Sequence, residues 1–397
     1  MVPWRLCAAG TLALVVLGVS ACASYAPVSA PTRTIRIATQ SPISERYLAE
    51  GQALMLAVRL AVDELGGALR KYGLAVEVAN YDDRANIEHA VSDARSIVAD
   101  ADILAVVGPL TSDVALEVAP IYRDAGLAMI SPSSTHPALT ARGMPNVFRV
   151  CGRDDVQADL AARFIRQSLS ARNVYVVHDG TTYGRGNAEF FRAAATRREL
   201  ILVGYDGADS PVAAEKVAAG VAAAAPDALY FAGSSDVGGP LFMEARRAGV
   251  TAKFVGSDGI DSSSLLVGTG EGPVGAYYTS VAGAVAVHPQ ARGFTHVYRK
   301  TFDRYPEPFA AQAYDATAVV LEAIARAARR PDGVSRQTVT AALRDTRHLG
   351  YSGPIVFDEH GDLRRALYLV MQVSAREPDD WDDNRELKRL GISPPPR

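Results

Sequence analysis

From Thr34 onward the chain keeps up an alternation of short apolar runs with segments of helical period, and this pattern constrains the fold more than any other feature. Apolar runs of roughly four to eight residues read as buried strands, and the helical segments between them supply the crossovers that parallel strands require. Strands are expected at Thr34 to Ala38, Val76 to Tyr81, Ile103 to Val107 and Leu127 to Ile130. Between the first two, Leu54, Val58, Ala61, Val62 and Leu65 recur at helical spacing along one face. The rhythm restarts after Arg149, with a helix from about Asp154, a strand at Val174 to Val177, a helix from Gly184 and a strand at Leu200 to Tyr205. A helix to Ala224, a strand at Ala228 to Ala232, a helix near Leu241 to Arg247 and a strand at Lys253 to Val255 complete this second set. Single cores stop growing near 250 to 300 residues, so 397 residues arranged in two similar sets predict two α/β lobes, each Rossmann-like and doubly wound.

Later segments are expected to return the chain between lobes. Ala310 to Arg329 reads as a long amphipathic helix returning to the first lobe, and Gly353 to Asp358 with Leu367 to Val373 reads as a β pair turning at Glu359 to Asp362. Three crossings are predicted, near Val150 to Asp154, Tyr278 to Ala282 and Ser352 to Gly353. Lobe 1 is then 34–152 with 281–352, and lobe 2 is 153–280 with 353–375. The remainder, 376–397, is charged, ends in Pro394, Pro395 and Pro396, and is expected to be poorly ordered.

The first 21 residues read as a targeting segment, because Arg5 precedes an apolar stretch, Leu6 to Val19, that is short for a membrane span. Val19-Ser20-Ala21-Cys22 has the aliphatic, small, small, Cys order of the bacterial lipoprotein signal, so Cys22 is expected to carry lipid. Residues 22–33 would then form the anchor and a flexible tether. An ordinary signal peptide, with Cys22 incidental, is the alternative. Removal of Cys7 and lipidation of Cys22 would leave Cys151 as the one free thiol, which excludes an intrachain disulfide. A net charge of −3 and the lack of any run of five like charges exclude the footprint of a nucleic-acid binder. No CxxC, HExxH or His/Cys cluster supports a metal, no GxGxxG follows the first strand, and no GxxxxGK[ST] occurs, so no metal and no cofactor are expected.

Open α/β sheets bind ligands beyond the carboxyl ends of their strands. After Val107 comes Gly108-Pro109-Leu110-Thr111-Ser112-Asp113, which runs into a helix, so Ser112 and free backbone N–H groups could grip a carboxylate; a plain helix cap is the alternative. After Ile130 comes a second donor cluster, Ser131-Pro132-Ser133-Ser134-Thr135. In the second set, strand ends lead into His178-Asp179-Gly180-Thr181-Thr182-Tyr183-Gly184, into Gly233-Ser234-Ser235-Asp236 and into Gly256-Ser257-Asp258-Gly259. Asp258 on its Gly-flanked turn is placed to receive an ammonium, or is simply a turn residue. A hydrolase using Ser112 or His178 is the enzymatic rival, but GxSxG is absent and seven His are few for a chain relying on general bases, so binding without catalysis is expected.

Val107-Gly108-Pro109 to Ser112, Asp124 to Pro137, Val176-Val177-His178-Asp179 to Tyr183-Gly184, Tyr81-Asp82-Asp83, Ala313-Tyr314-Asp315-Ala316 and Phe357 to Asp362 together resemble the branched-chain amino-acid-binding proteins of bacterial ABC transporters. Their order and spacing agree over nearly the whole mature chain. The resemblance implies a type I periplasmic binding fold, two lobes joined by a three-strand hinge that close on an amino acid for delivery to ABC transporter permease subunits by a monomer tethered at the membrane. It implies an α-carboxylate held by Ser112, Ser133 and Thr135, an α-ammonium met by Asp258, and contacts from Tyr183 and Ser234 of the far lobe. Ser234 stands where close relatives carry a tyrosine, Asp258 is one methylene shorter than their glutamate, and the loop from Gln40 to Glu50 is shorter, so "amino acid" is better supported than "leucine". A sensor module of the same fold is the other rival.

Overall fold

The computed structural model describes residues 33–283 and 287–395, so the leader, Cys22 and the tether up to residue 32 lie outside the described residues. Five strands, β1 (Arg33–Ser41), β2 (Leu74–Asp82), β3 (Ile103–Val107), β4 (Ala128–Ser131) and β5 (Val147–Arg149), form one sheet in the order β2-β1-β3-β4-β5 with every pair parallel. Helices α1 (Leu48–Leu65), α2 (Ile87–Ala99), α3 (Ser112–Asp124) and the short α4 (Ala138–Ala141) connect them. The second set runs α5 (Asp154–Gln167), β6 (Asn173–His178), α6 (Thr182–Arg197), β7 (Ile201–Gly207), α7 (Pro211–Ala224), β8 (Ala228–Ala232), α8 (Ser235–Arg247), β9 (Lys253–Gly256) and β10 (Tyr277–Ser280). Its strands lie in the order β7-β6-β8-β9-β10, which repeats the first sheet strand for strand. In both sheets the chain enters at an inner strand, steps once to one side and returns to the other. Each sheet therefore has a switch point, between β1 and β3 and between β6 and β8, where a crevice opens beyond the strand ends.

Helices cover both faces of each sheet, and the strands show why. Along β8, Leu229 and Phe231 pack with α7 and α8, while Ala228, Tyr230 and Ala232 pack with α5 and α6. A strand buried on both sides reads as a continuous apolar run, which is how it was recognisable in the sequence. On α1, Leu54, Val58, Ala61 and Val62 are buried as their spacing predicts, but Leu65 in the last turn is 37% exposed.

The remaining elements are α9 (Arg292–Phe302), α10 (Ala310–Ala327), α11 (Arg336–Leu343), β11 (His348–Gly350), β12 (Gly353–Ile355), β13 (Ala366–Gln372) and β14 (Arg385–Ile392). α10 packs on α1 in the core of the first lobe, as expected of it. The expected β pair is different: β12 pairs with β11, while β13 joins the second sheet antiparallel to β10, and a single bridge, Phe357 to Leu363, links the two sides of the turn. The Phe357 ring packs tilted against Phe148 with centroids 4.9 Å apart, and Gly361 O accepts the Arg149 amide at 3.0 Å, so the chain stays with the first lobe until about Leu363. The third crossing thus falls some residues beyond Gly353. The tail also departs from expectation. β14 pairs along β13, and Trp381 is buried against Tyr278 at 5.9 Å with its indole N–H donating to Asp261. β13 would otherwise leave an unpaired sheet edge, and pairing it orders the charged segment.

Beneath the first crossing lies a buried ionic node. Arg149 is fully buried; its Nε donates to Asp362 Oδ1 at 2.6 Å, its Nη1 to the carbonyls of Ser134 and His136, and its Nη2 to Thr140 Oγ1 at 2.6 Å. Arg153 Nη1 reaches the other Asp362 oxygen at 3.2 Å. One arginine therefore ties β5, the Ser133 to Thr135 loop and the third crossing together.

Candidate functional site

Beyond the strand ends, between the two lobes, lies a cavity of about 620 Å³, open solvent at its mouth included. Ser112, Ser133, Thr135, Tyr183, Ser234 and Asp258, the six residues singled out from sequence, all face it. His178 and Cys151 do not. The His178 ring sits on Tyr205, and the Cys151 thiol is buried against the Ser134 carbonyl, where burial pushes its ionisation far up.

Five loops position the six, Ser133 and Thr135 sharing one. Gly108 follows β3 with φ of 131°, and a Cβ there would lie 2.2 Å from the Gln40 carbonyl, so the turn into α3 needs glycine. The cap of α3 is Thr111, whose Oγ1 accepts from the Val114 amide at 3.4 Å. Ser112 is thereby released from capping, and its hydroxyl faces the cavity while accepting the His136 amide at 3.4 Å. Ser133 donates to the Leu110 carbonyl at 2.8 Å, holding the second hydroxyl loop against the first. The N-termini of α3, α6 and α8 all approach the cavity; the first turn of α6 is taken up by Asp113 and Thr181, which leaves those of α3 and α8 to make the rim favourable to an anion.

Opposite stands Asp258. Tyr183 Oη donates to its Oδ1 at 2.5 Å and accepts from the Gly259 amide at 2.9 Å, while Gln157 Nε2 donates to the same carboxyl at 2.7 Å. Gln157 is clamped in turn, its Oε1 accepting from the Asp258 amide at 2.7 Å and from Thr279 at 2.8 Å. Burial pushes the Asp258 carboxyl up, against the pull of these donors. Asp154 lies nearby at the first crossing, takes Asn187 Nδ2 at 3.0 Å, and is pushed up to about 8 by burial and by the charge of Asp258. Two buried carboxyls thus share one region, and burial and mutual repulsion push the Asp154 carboxyl up.

The lobes are closed on each other. Arg46, from the loop after β1, donates to Asp236 Oδ2 at 2.9 Å and to Ser234 Oγ at 2.8 Å in the far lobe, with its guanidinium 4.6 Å over the Tyr47 ring. Asp113 accepts the Thr182 amide at 2.8 Å at the first turn of α6. Sequence reasoning missed several cavity residues, among them Tyr47, Glu50, Asp261, Ser262 and Phe309. Tyr47 and Phe309 sit just before α1 and α10 with φ of 62° and 71°. Bulky residues in left-handed backbone cost about 1–3 kcal/mol each and persist where the surroundings impose them, often at ligand sites. No sequence signal marks that conformation, although Tyr47 does lie within the Gln40 to Glu50 loop.

These carboxyls set a pH dependence. The folded Asp154 keeps a proton up to about 8 that an unfolded aspartate gives up near 4, so its stabilising effect is present at low pH and lost as pH rises through about 8. The buried Cys151 thiol acts with the same sign. His136, His178 and His288, all pushed down by burial, act with the opposite sign, but only below about 6.5. Melting temperature of the ligand-free protein is therefore expected to fall between pH 7 and pH 9, as followed by circular dichroism; a rise across that interval would contradict the assignment.

A donor-rich rim on one lobe and a clamped carboxylate on the other suit a small zwitterion. No helix among the described residues is long and apolar enough to cross a membrane, and among the same residues no group of three or more His, Cys, Asp or Glu could hold a metal ion. The family model described as "Periplasmic binding protein" matches residues 34–377. A Leu/Ile/Val-binding protein homolog from Brucella melitensis is 29% identical over 361 residues, covering 90% of this chain and 94% of that one. An amino acid binding protein from Pseudomonas aeruginosa is 30% identical over 265 residues, covering 66% and 69%. Among solved structures, a leucine binding protein from Thermotoga maritima superimposes with a TM-score of 0.80 at 27% identity, covering 90% of this chain and 98% of that one. A match along nearly the whole described chain, carried by the same two-lobed α/β architecture, places this protein in the periplasmic binding protein family.

Proposed function

We propose that this protein captures an amino acid between its lobes, outside the cytoplasmic membrane, and presents the closed, loaded form to the permease subunits of an ABC importer. The observation that carries this reading is the convergence of six side chains from five separate loops and helix ends on one cavity, with Ser112, Ser133, Thr135 and the N-terminus of α3 on one side and Asp258 on the other. The α-carboxylate belongs with Ser112, Ser133, Thr135 and the first turn of α3; the α-ammonium belongs with Asp258, held by Tyr183 and Gln157. The names of the relatives support an amino acid as ligand. Binding of this kind fixes charge without bond-making, and no catalytic step is assigned. Cys22, acylated, would hold the protein at the membrane through its tether.

Calorimetry with a panel of L-amino acids tests the reading, and one or more is expected to bind with a single site. Ser112→Ala should weaken that binding by about 1.5–3 kcal/mol, the worth of a hydrogen bond to a charged group. Heat from no amino acid, or an unaffected variant, would remove respectively the ligand class or Ser112 from the site.

A further inference from the structure

The cavity is unevenly charged. Glu50, Asp113, Asp258 and Asp261 line it, and none of its lining residues is Lys, Arg or His. Three of these carboxyls are engaged by protein donors. Asp113 takes the N-terminus of α6, Asp258 takes Tyr183 and Gln157, and Asp261 takes Ser280 at 2.5 Å and the Trp381 indole at 3.1 Å. Glu50, in the first turn of α1, differs. Ser262 of the facing lobe is its side-chain partner, and among the described residues no basic side chain lies within ion-pair distance of it. Glu307, bonded to the Ser263 amide at 3.2 Å, is a second carboxyl beside it, pushed up to about 7 by burial and by the charge of Glu50. Arg46, the nearest cation along the chain, is spent on Asp236 and Asp179.

An aliphatic ligand side chain would leave such a carboxylate desolvated on closure with the Ser262 hydroxyl and no opposite charge, which costs more than its burial gains. A cation would remove that cost and bridge Glu50 of one lobe to the Ser262 side of the other. Resting on the amino-acid reading above, we propose that Glu50 is a specificity-determining residue and that the ligand is an amino acid with a cationic side chain, ammonium or guanidinium, set against it. Asp258 then neutralises the α-ammonium and Glu50 the distal charge, so the two positive groups of a basic amino acid each meet one carboxylate.

The test is calorimetry on the full chain, freed of bound ligand, with L-arginine, L-lysine, L-leucine and L-citrulline, the last an uncharged isostere of arginine. At least one basic amino acid is expected to bind about tenfold or more tighter than leucine, and arginine tighter than citrulline. Glu50→Gln should erase the advantage over leucine and citrulline, weakening the basic amino acids and strengthening leucine, with a cooperative circular dichroism melt reporting that the variant is folded. Leucine binding more tightly than both basic amino acids overturns the proposal alone, as does an unchanged preference in the variant. Absence of binding by all four and by the wider amino-acid panel overturns the reading it rests on.

Discussion

Replacing Arg149 with methionine should destabilise the protein by about 3–5 kcal/mol, the cost of breaking a buried ionic network by removing one member. Asp362, whose Oδ1 accepts from Arg149 at 2.6 Å, would be left with the more distant Arg153 at 3.2 Å and with Thr140. Two main-chain carbonyls, of Ser134 and His136, would lose their donor at the same stroke, and both flank Thr135 in the hydroxyl loop of the cavity. Stability and ligand affinity should therefore fall together. Urea unfolding reads the first effect as a lower midpoint at unchanged slope. The double variant Arg149→Met with Asp362→Leu should recover part of the loss, because both fully buried charges are then replaced by apolar groups while Arg153 keeps Asp155. A single variant as stable as the parent would show that the node contributes nothing.

The second large effect is expected on binding. Asp258→Asn keeps the size of the side chain and an oxygen to accept from Tyr183, but removes the charge opposite the donor rim. Loss of one member of a desolvated charge pair costs about 2–5 kcal/mol, so amino-acid affinity should fall accordingly. The discriminating comparison is between an amino acid and its 2-hydroxy analogue, which keeps the carboxylate and lacks the ammonium. The parent should prefer the amino acid strongly and the variant should not. Equal preference in both proteins would take Asp258 out of ammonium recognition. Because burial raises the Asp258 carboxyl, the same contact weakens as pH falls and the carboxylate is protonated, so affinity should decline toward acid.

Much of this molecule is written locally. Ile103–Val107 and Ala228–Ala232 coincide with the apolar runs that predict them, since a strand buried on both faces has no polar position to hide it. The hydroxyl loops after β3 and β4 were recognisable for the complementary reason: small polar residues directly after an apolar run have no packing role and sit where parallel strands deliver ligands. All six predicted site residues reach the cavity because each lies at a strand end or helix start, and the parallel topology brings those ends to one side.

What stayed hidden depends on partners distant in the chain. Arg149 looked like any scattered arginine, and only Asp362, brought near by the third crossing, makes it the centre of a buried node. The charged tail looked unordered because nothing in its own residues favours a strand; the open edge of β13 supplies the missing partner. Glu50 entered the sequence reading only as the end of the Gln40 to Glu50 loop; it is the far lobe that makes it part of a cavity without a cation. By itself the sequence determined the strands, the crossover helices and the chemistry at the strand ends, since periodicity and turn residues act over a few positions. The tertiary structure alone decided which charges are buried together and which are left for a ligand, because desolvation and Coulomb energy depend on what surrounds a group in space, whatever its distance along the chain.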